Sequence, residues 1–208
     1  MDAGERLVRA AESGDAFLVA RLLARGARPD VPDAEGRTPL ESAVRKDRAD
    51  VVRLLVGAGA DTARRVGEYG ETSPLCLAAM LGRTGVVGAL LDAGVHPDTP
   101  DRMGQPALVL AATATPEGHP ATVDLLLDRG AAPEITLRGR TALGWAACFG
   151  RPGTVRHLLA RGAAPTRQAL ACARDHASSR PGGRAVHEEV IGLLRAARGP
   201  RTAPPQGR

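Results

Sequence analysis

The sequence predicts an all-α solenoid: helix-turn-helix units stacked side by side, with projecting β-turn or hairpin loops, about six units counting the caps. Three observations carry this expectation. A block of two leucines, two or three residues and Gly-Ala (Gly-Val once) returns five times, closing at Gly26, Gly59, Gly94, Gly130 and Gly162, at spacings of 33, 35, 36 and 32. A second block, GRTPLESAV (36–44), ETSPLCLAA (71–79), GQPALVLAA (104–112) and GRTALGWAA (139–147), precedes each of the last four. Aromatic residues make up only 2% of the 208 residues, which suits thin layers filled by Ala, Leu and Val better than one large core. Self-similarity at a fixed period of this length is the mark of a stacked repeat.

Each unit follows from local chemistry. Thr38 or Thr141 can cap the first amides of a helix, and Pro39 or Pro74 sits in the first turn, where a missing N–H costs nothing. The Leu and the Ala-Ala pair that follow lie at i, i+3 and i+4, one face of a short helix. Asp47, Gly82, Gly118 or Gly150 ends it. A second helix carries Val51, Val52, Leu54 and Leu55 or their equivalents, and the closing glycine can supply the left-handed residue that stops helices. A polar stretch such as ARPDVPDAEGR (27–37) leads to the next unit. No unit can bury its apolar face alone, so stacking is obligatory.

The period, the TPL opening, the Ala-Ala pair and the Leu-Leu/Gly-Ala close resemble ankyrin repeats, over about residues 4–198. The resemblance implies units at 33–65, 66–100, 101–135 and 136–165, an N-terminal cap at about 4–32 and a C-terminal cap at 166–198. Unit 33–65 matches best. Unit 4–32 lacks the TPL opening. Unit 66–100 has two extra residues between Gly59 and Leu75. Unit 101–135 has Pro106-Ala107-Leu108 in place of TPL and three extra residues around Thr113–Glu117, which either bulge the inter-helix turn or lengthen the first helix. Unit 136–165 has Ala142 in place of Pro. After Gly162 the connection shrinks, so 166–198 is expected to be two helices, 166–177 and 184–198, without a projecting turn and with a flexible joint at 178–184. The Pro- and Arg-rich tail 199–208 is expected to be disordered.

Composition bounds the function. The formal charge is +5, and all 28 basic residues except Lys46 are Arg. The arginines are scattered among 23 acids, as the codon bias of a GC-rich genome would give; an anionic partner is the functional alternative. Cys76, Cys148 and Cys172 are far apart and odd in number, so no complete disulfide framework is expected, and they are read as small packing residues. The N-terminus has charge where a signal peptide has an apolar core, and no apolar run is long enough to span a bilayer, which points to a reduced cytoplasmic protein.

Few motifs point to chemistry. The GAGAD run (57–61) follows a helix rather than a strand and lacks the rest of a phosphate-binding loop. His187-Glu188-Glu189 lacks the second His of a zinc helix and is read as a solvated face. His119 lies in a Gly-His turn that matches the ankyrin pattern, where the resemblance implies an imidazole bonded to local backbone. No catalytic residue, cofactor or metal is expected.

The resemblance places binding on the turn tips and the first helices, which line a concave face. By position this gives Glu35, Arg37, Arg102, Met103, Gln105, Arg138 and Arg140 at the tips, and Arg45, Lys46, Met80, Leu81, Cys148 and Phe149 at the helix ends. Tyr69 and Glu71 sit in the lengthened turn. The set is mostly basic with an apolar centre, as suits a protein interface; Leu81 and Phe149 are equally readable as packing between units. The expected function is non-catalytic binding, by a monomer, of another protein with an acidic or mixed surface. Nucleic-acid binding through the Arg excess is the alternative, and scarce stacking aromatics argue against it.

Overall fold

The computed structural model describes residues 3–67, 70–114, 117–179 and 184–199. Tyr69, the centre of the 178–184 joint and the tail from residue 200 lie outside them. The described residues form twelve helices in six pairs: α1 (Ala3–Ser13) with α2 (Ala16–Ala24), α3 (Pro39–Arg45) with α4 (Ala49–Gly57), α5 (Pro74–Met80) with α6 (Thr84–Asp92), α7 (Ala107–Thr113) with α8 (Pro120–Asp128), α9 (Ala142–Cys148) with α10 (Pro152–Ala160), and α11 (Arg167–Ser179) with α12 (Arg184–Ala197). The first helices pack in one row, α1 on α3, α5, α7, α9 and α11 in turn, and the second helices in another. None of these helices is long and apolar enough to cross a membrane.

The first helices α3, α5 and α9 start as the capping chemistry dictates. Thr38 Oγ1 accepts the Glu41 amide at 3.1 Å, Ser73 Oγ the Cys76 amide at 3.2 Å and Thr141 Oγ1 the Gly144 amide at 3.2 Å. Pro106, at the equivalent place, has no side-chain cap to give. α7 is nonetheless as short as α3, α5 and α9, so the extra residues around Thr113–Glu117 do not lengthen the helix. Gly82 and Gly150 end α5 and α9 with φ of +67° and +66°, and a Cβ there would lie 2.4 Å from the His119 ring and 2.7 Å from the His187 ring. Left-handed backbone and a ring overhead both require glycine.

The core is one layer per unit. Leu7, Leu40, Leu75, Leu108 and Leu143 of the first helices and Leu55, Leu90, Leu126, Leu158 and Leu194 of the second are fully buried. Burial of each such side chain contributes about 2 kcal/mol. The pairs Ala78-Ala79, Ala111-Ala112 and Ala146-Ala147 are all at 0% exposure, and the small side chain lets successive first helices approach closely.

A ladder of polar bonds crosses every interface between units. The residue that precedes the second helix reaches back to the carbonyl at the end of the previous unit's first helix. Arg48 Nε donates to Glu12 O (3.3 Å), Arg83 Nη2 to Arg45 O (3.2 Å), His119 Nε2 to Met80 O (3.1 Å) and Arg151 Nη2 to Thr113 O (2.8 Å). In the last unit His187 Nε2 does the same to Cys148 O (3.1 Å). A carbonyl only accepts, so both imidazoles carry their proton on Nε2. Two expectations are corrected here. His119 bonds the preceding unit rather than local backbone, and His187 is buried rather than solvated. Each ladder bond satisfies one of the orphan carbonyls that a helix end leaves. A second series runs along the connections: Asp30, Asp98 and Glu134 accept the amides of Asp61, Ala132 and Ala164 in the following unit.

The expectation for the cysteines also changes. Cys148 and Cys172 are joined in a disulfide, with Cα atoms 5.1 Å apart, and only Cys76 is free. The odd count leaves one thiol over but does not forbid one bond. α11 packs on α9 as each first helix packs on the one before it, and this brings together two cysteines 24 apart in sequence, a separation shortened by the missing projecting turn. α11 also continues through Ser179, two residues into the stretch read as a joint.

Candidate functional site

The projecting turns present the tip residues in two ways. In the second and fourth units an aspartate organises the loop: Asp33 Oδ1 accepts the Glu35 and Arg37 amides at 3.1 and 2.8 Å, and Asp101 Oδ1 the Met103 and Gln105 amides at 2.9 and 2.8 Å. In the fifth unit the tip is a two-stranded hairpin, β1 (Thr136–Leu137) against β2 (Arg140–Thr141). Arg138 and Gly139 make its two-residue turn, both at positive φ (52° and 72°), as a type I′ hairpin requires.

The candidate basic residues of the second unit, Arg37, Arg45 and Lys46, are paired with carboxylates. Arg37 bonds Asp33 at 2.9 Å and lies 3.4 Å from Glu35; Arg45 bonds Glu41 at 3.0 Å; Lys46 bonds Glu12 at 3.1 Å. Burial acts to raise the Asp33 carboxyl, but the Arg37 amide and guanidinium outweigh it and hold the group below its ordinary value. Glu71 is half-buried and its carbonyl accepts the Arg102 amide at 3.1 Å. Met80 is exposed, whereas Leu81 is half-buried against the core, which is the packing alternative.

The fourth and fifth units differ. Met103, Gln105, Leu137, Arg138, Trp145 and Phe149 line a cleft of about 230 Å³, with Val109 and Thr113 of α7 completing it. Trp145 and Phe149, one turn apart on α9, stack with ring centroids 5.8 Å apart and an interplanar angle of 18°. The Arg140 guanidinium lies 4.5 Å over the Trp145 ring, and that of Arg151 lies 5.6 Å from the Phe149 ring centre. Trp145 Nε1 donates to Leu137 O at 3.1 Å, which ties α9 to the hairpin. Stacks and cation–ring contacts of this kind contribute about 1 kcal/mol each. Met103 is 59% exposed and Phe149 48%, so the cleft presents apolar surface outward. Arg138 is exposed in its lining and Arg102 is exposed next to Met103 in sequence, and neither has an ion pair among the described residues.

Sequence reasoning missed Trp145, Leu137, Val109 and Thr113. The available signal was the i, i+4 spacing of Trp145 and Phe149 on a short helix. It also placed Cys148 on the binding face, where the structure has it 2% exposed and cross-linked to α11. The arrangement can grip an apolar side chain and offer guanidinium donors beside it. Among the described residues no group of three or more His, Cys, Asp or Glu is placed to hold a metal. The free thiol, Cys76, is buried, which pushes it up to about 11 and leaves it a poor nucleophile.

The family model described as ankyrin repeats (3 copies) matches this sequence over residues 6–66 and 75–169. The chain belongs to the ankyrin-repeat family. Ankyrin repeats generally mediate protein–protein interaction and are typically non-catalytic. Relatives include zinc finger CCCH domain-containing protein 50 of Oryza sativa subsp. japonica, 43% identical over 46% of this chain and 15% of that protein. Neurogenic locus notch homolog protein 1 of Xenopus tropicalis is 39% identical over 44% of the chain and 4% of its own length. Ankyrin repeat and KH domain-containing protein mask-1 of Caenorhabditis elegans is 32% identical over 62% and 5%. The ankyrin chain thus matches only a small part of each of these relatives.

Proposed function

We propose that this ankyrin-repeat chain is a non-catalytic binding module, monomeric and cytoplasmic, that holds a protein partner on the face made by its turn tips and first helices. The centre of that face is the cleft between the fourth and fifth units. The observation that carries the reading is the exposed cluster of Met103, Trp145 and Phe149 with Arg102, Arg138 and Arg140 around it. Aromatic, Met and Arg side chains clustered in a pocket are the composition of interface hot spots. The partner offers an apolar side chain to the slot and an acceptor to the rim. In a reducing cytoplasm the Cys148–Cys172 bond would be open to reduction.

The test combines capture and substitution. A photo-crosslinking residue at position 103 should yield one dominant adduct from a lysate of the source cells. Met103→Glu with Phe149→Glu should abolish that adduct when the crosslinker is moved to position 138, with the helical circular-dichroism signal unchanged. An adduct that survives both substitutions removes this face from the proposal.

A further inference from the structure

A second surface lies at the far end of the stack. Arg167, Leu170, Ala171 and Arg174 of α11 face a cavity of about 540 Å³ whose other wall is Arg195, Arg198 and Gly199. The spacing explains the clustering: 167, 170, 171 and 174 fall at i, i+3, i+4 and i+7, one stripe of a helix. The groove continues along the hairpin into a second hollow, where Arg174 and Ala177 face Arg184, Glu188 and Ile191. The opposite faces, with Ala169, Ala173, Val190 and Leu194, are buried in the stack.

Many of the arginines elsewhere are committed. Arg129 bonds Asp92, Arg161 bonds Asp124 and Asp128, Arg156 bonds Glu189, and Arg48, Arg83 and Arg151 are rungs of the ladder. Arg167, Arg174, Arg195 and Arg198 have no ion pair among the described residues, yet they line one cavity. Four unpartnered guanidiniums around a concave surface raise the local concentration of anions.

We propose that this groove is a docking site for an acidic segment of a protein partner, one in which carboxylates flank apolar side chains. Arg167 and Arg174 are seven residues apart, so their helix positions are separated by about 10 Å. Cations strung along that length match carboxylates spaced along a chain better than one phosphate, which would need them to converge. Between the arginines, Leu170 forms the groove floor at 9% exposure and Ala171 beside it is exposed, which gives a small apolar side chain somewhere to rest. The chain's own residues 200–208 do not complement the groove, since they carry Arg201 and Arg208 and no acid. The site is separate from the cleft between the fourth and fifth units, and the two fail independently.

The experiment uses the full chain and a fluorescent ten-residue peptide of alternating Glu and Leu. Anisotropy should show binding that weakens at least tenfold in Arg174→Glu/Arg195→Glu and by less than twofold in Arg21→Glu/Arg25→Glu, two exposed arginines outside both surfaces, which changes the charge equally. A milder Arg167→Ala/Arg198→Ala pair should lose at least threefold with an unaltered melting temperature. A Gln-Leu peptide should not bind. Equal loss in both charge-reversed variants would mean general attraction to a basic protein and would overturn the proposal. So would inorganic pyrophosphate displacing the peptide at equal charge concentration, which would make this a phosphate site. A dimer in sedimentation velocity that Arg174→Glu dissolves would also overturn it, by making a second copy the occupant.

Discussion

The second unit and the last hairpin are both rich in cations, but Arg37, Arg45 and Lys46 of the second unit are spent on neighbouring carboxylates while four arginines of the hairpin are not. Arg37, Arg45 and Lys46 each meet a carboxylate within 3.1 Å. Arg167, Arg174, Arg195 and Arg198 meet none among the described residues. Net charge read from composition therefore does not locate positive potential; partner distance does. The same contrast holds for apolar surface. Leu81 is tucked against the core while Phe149, one residue before an equivalent turn glycine, stands exposed beside Trp145. Both proposed binding surfaces lie toward the C-terminal half of the chain.

The harshest way to break the comparison is to remove the hairpin. Deleting 166–208 uncovers α9 and α10, including the buried Ala146, Ala147, Val155 and Leu158. A terminal unit shields the apolar face of the unit beneath it. The truncated protein should aggregate in light scattering at concentrations where the full chain is monomeric. A soluble, cooperatively unfolding truncation would show that α11 and α12 are not a cap.

The next largest effect belongs to the cross-link. Cys148→Ser with Cys172→Ser opens a loop of 24 residues in the unfolded chain and should cost about 3 kcal/mol. Urea unfolding should show the loss, and dithiothreitol should reproduce most of it in the wild type while leaving the double variant unaffected. No effect of either would mean that the bond does not form in solution.

Below these come the ladder rungs. Arg151 is 8% exposed and gives Thr113 O its partner, while Arg48 is exposed and its bond to Glu12 O is longer. Arg151→Ala should cost about 2 kcal/mol and Arg48→Ala about 0.5 kcal/mol in chemical denaturation, since an unsatisfied carbonyl is expensive only where water cannot reach it. Equal costs would mean that the rungs act through side-chain packing alone.

How much was legible in the sequence follows from what each feature depends on. Helix pairs, caps at Thr38, Ser73 and Thr141 and turns at Gly82 and Gly150 depend on residues within a few positions of one another, and their pattern repeats. The ladder, the disulfide and the aromatic cleft depend on which residue of one unit lies over which residue of the next. Cys172 meets Cys148 because α11 stacks on α9, and His187 finds the Cys148 carbonyl from 39 residues away. The candidate tips were identified by repeat position, which says where a side chain starts but not whether Glu41 or Asp33 waits beside it.

The smallest effect isolates one such pair and works through pH. Asp33 is held below its ordinary value by the Arg37 amide and guanidinium acting against burial. A carboxyl depressed in the folded state stabilises the fold fully above its unfolded value, near 3.8, and loses that contribution as pH falls through the lower folded value. Asp33→Asn keeps an oxygen for the Glu35 and Arg37 amides and removes only the charge. At neutral pH it should cost about 0.5 kcal/mol, the scale of an exposed ion pair. The difference between variant and wild type should vanish on acidification below the folded value and should not change between pH 6 and 8. A cost that persists unchanged at low pH would assign Asp33 to loop geometry alone. Arg37 would then be a cation free for a partner, and the contrast between the second unit and the last hairpin would narrow by one residue.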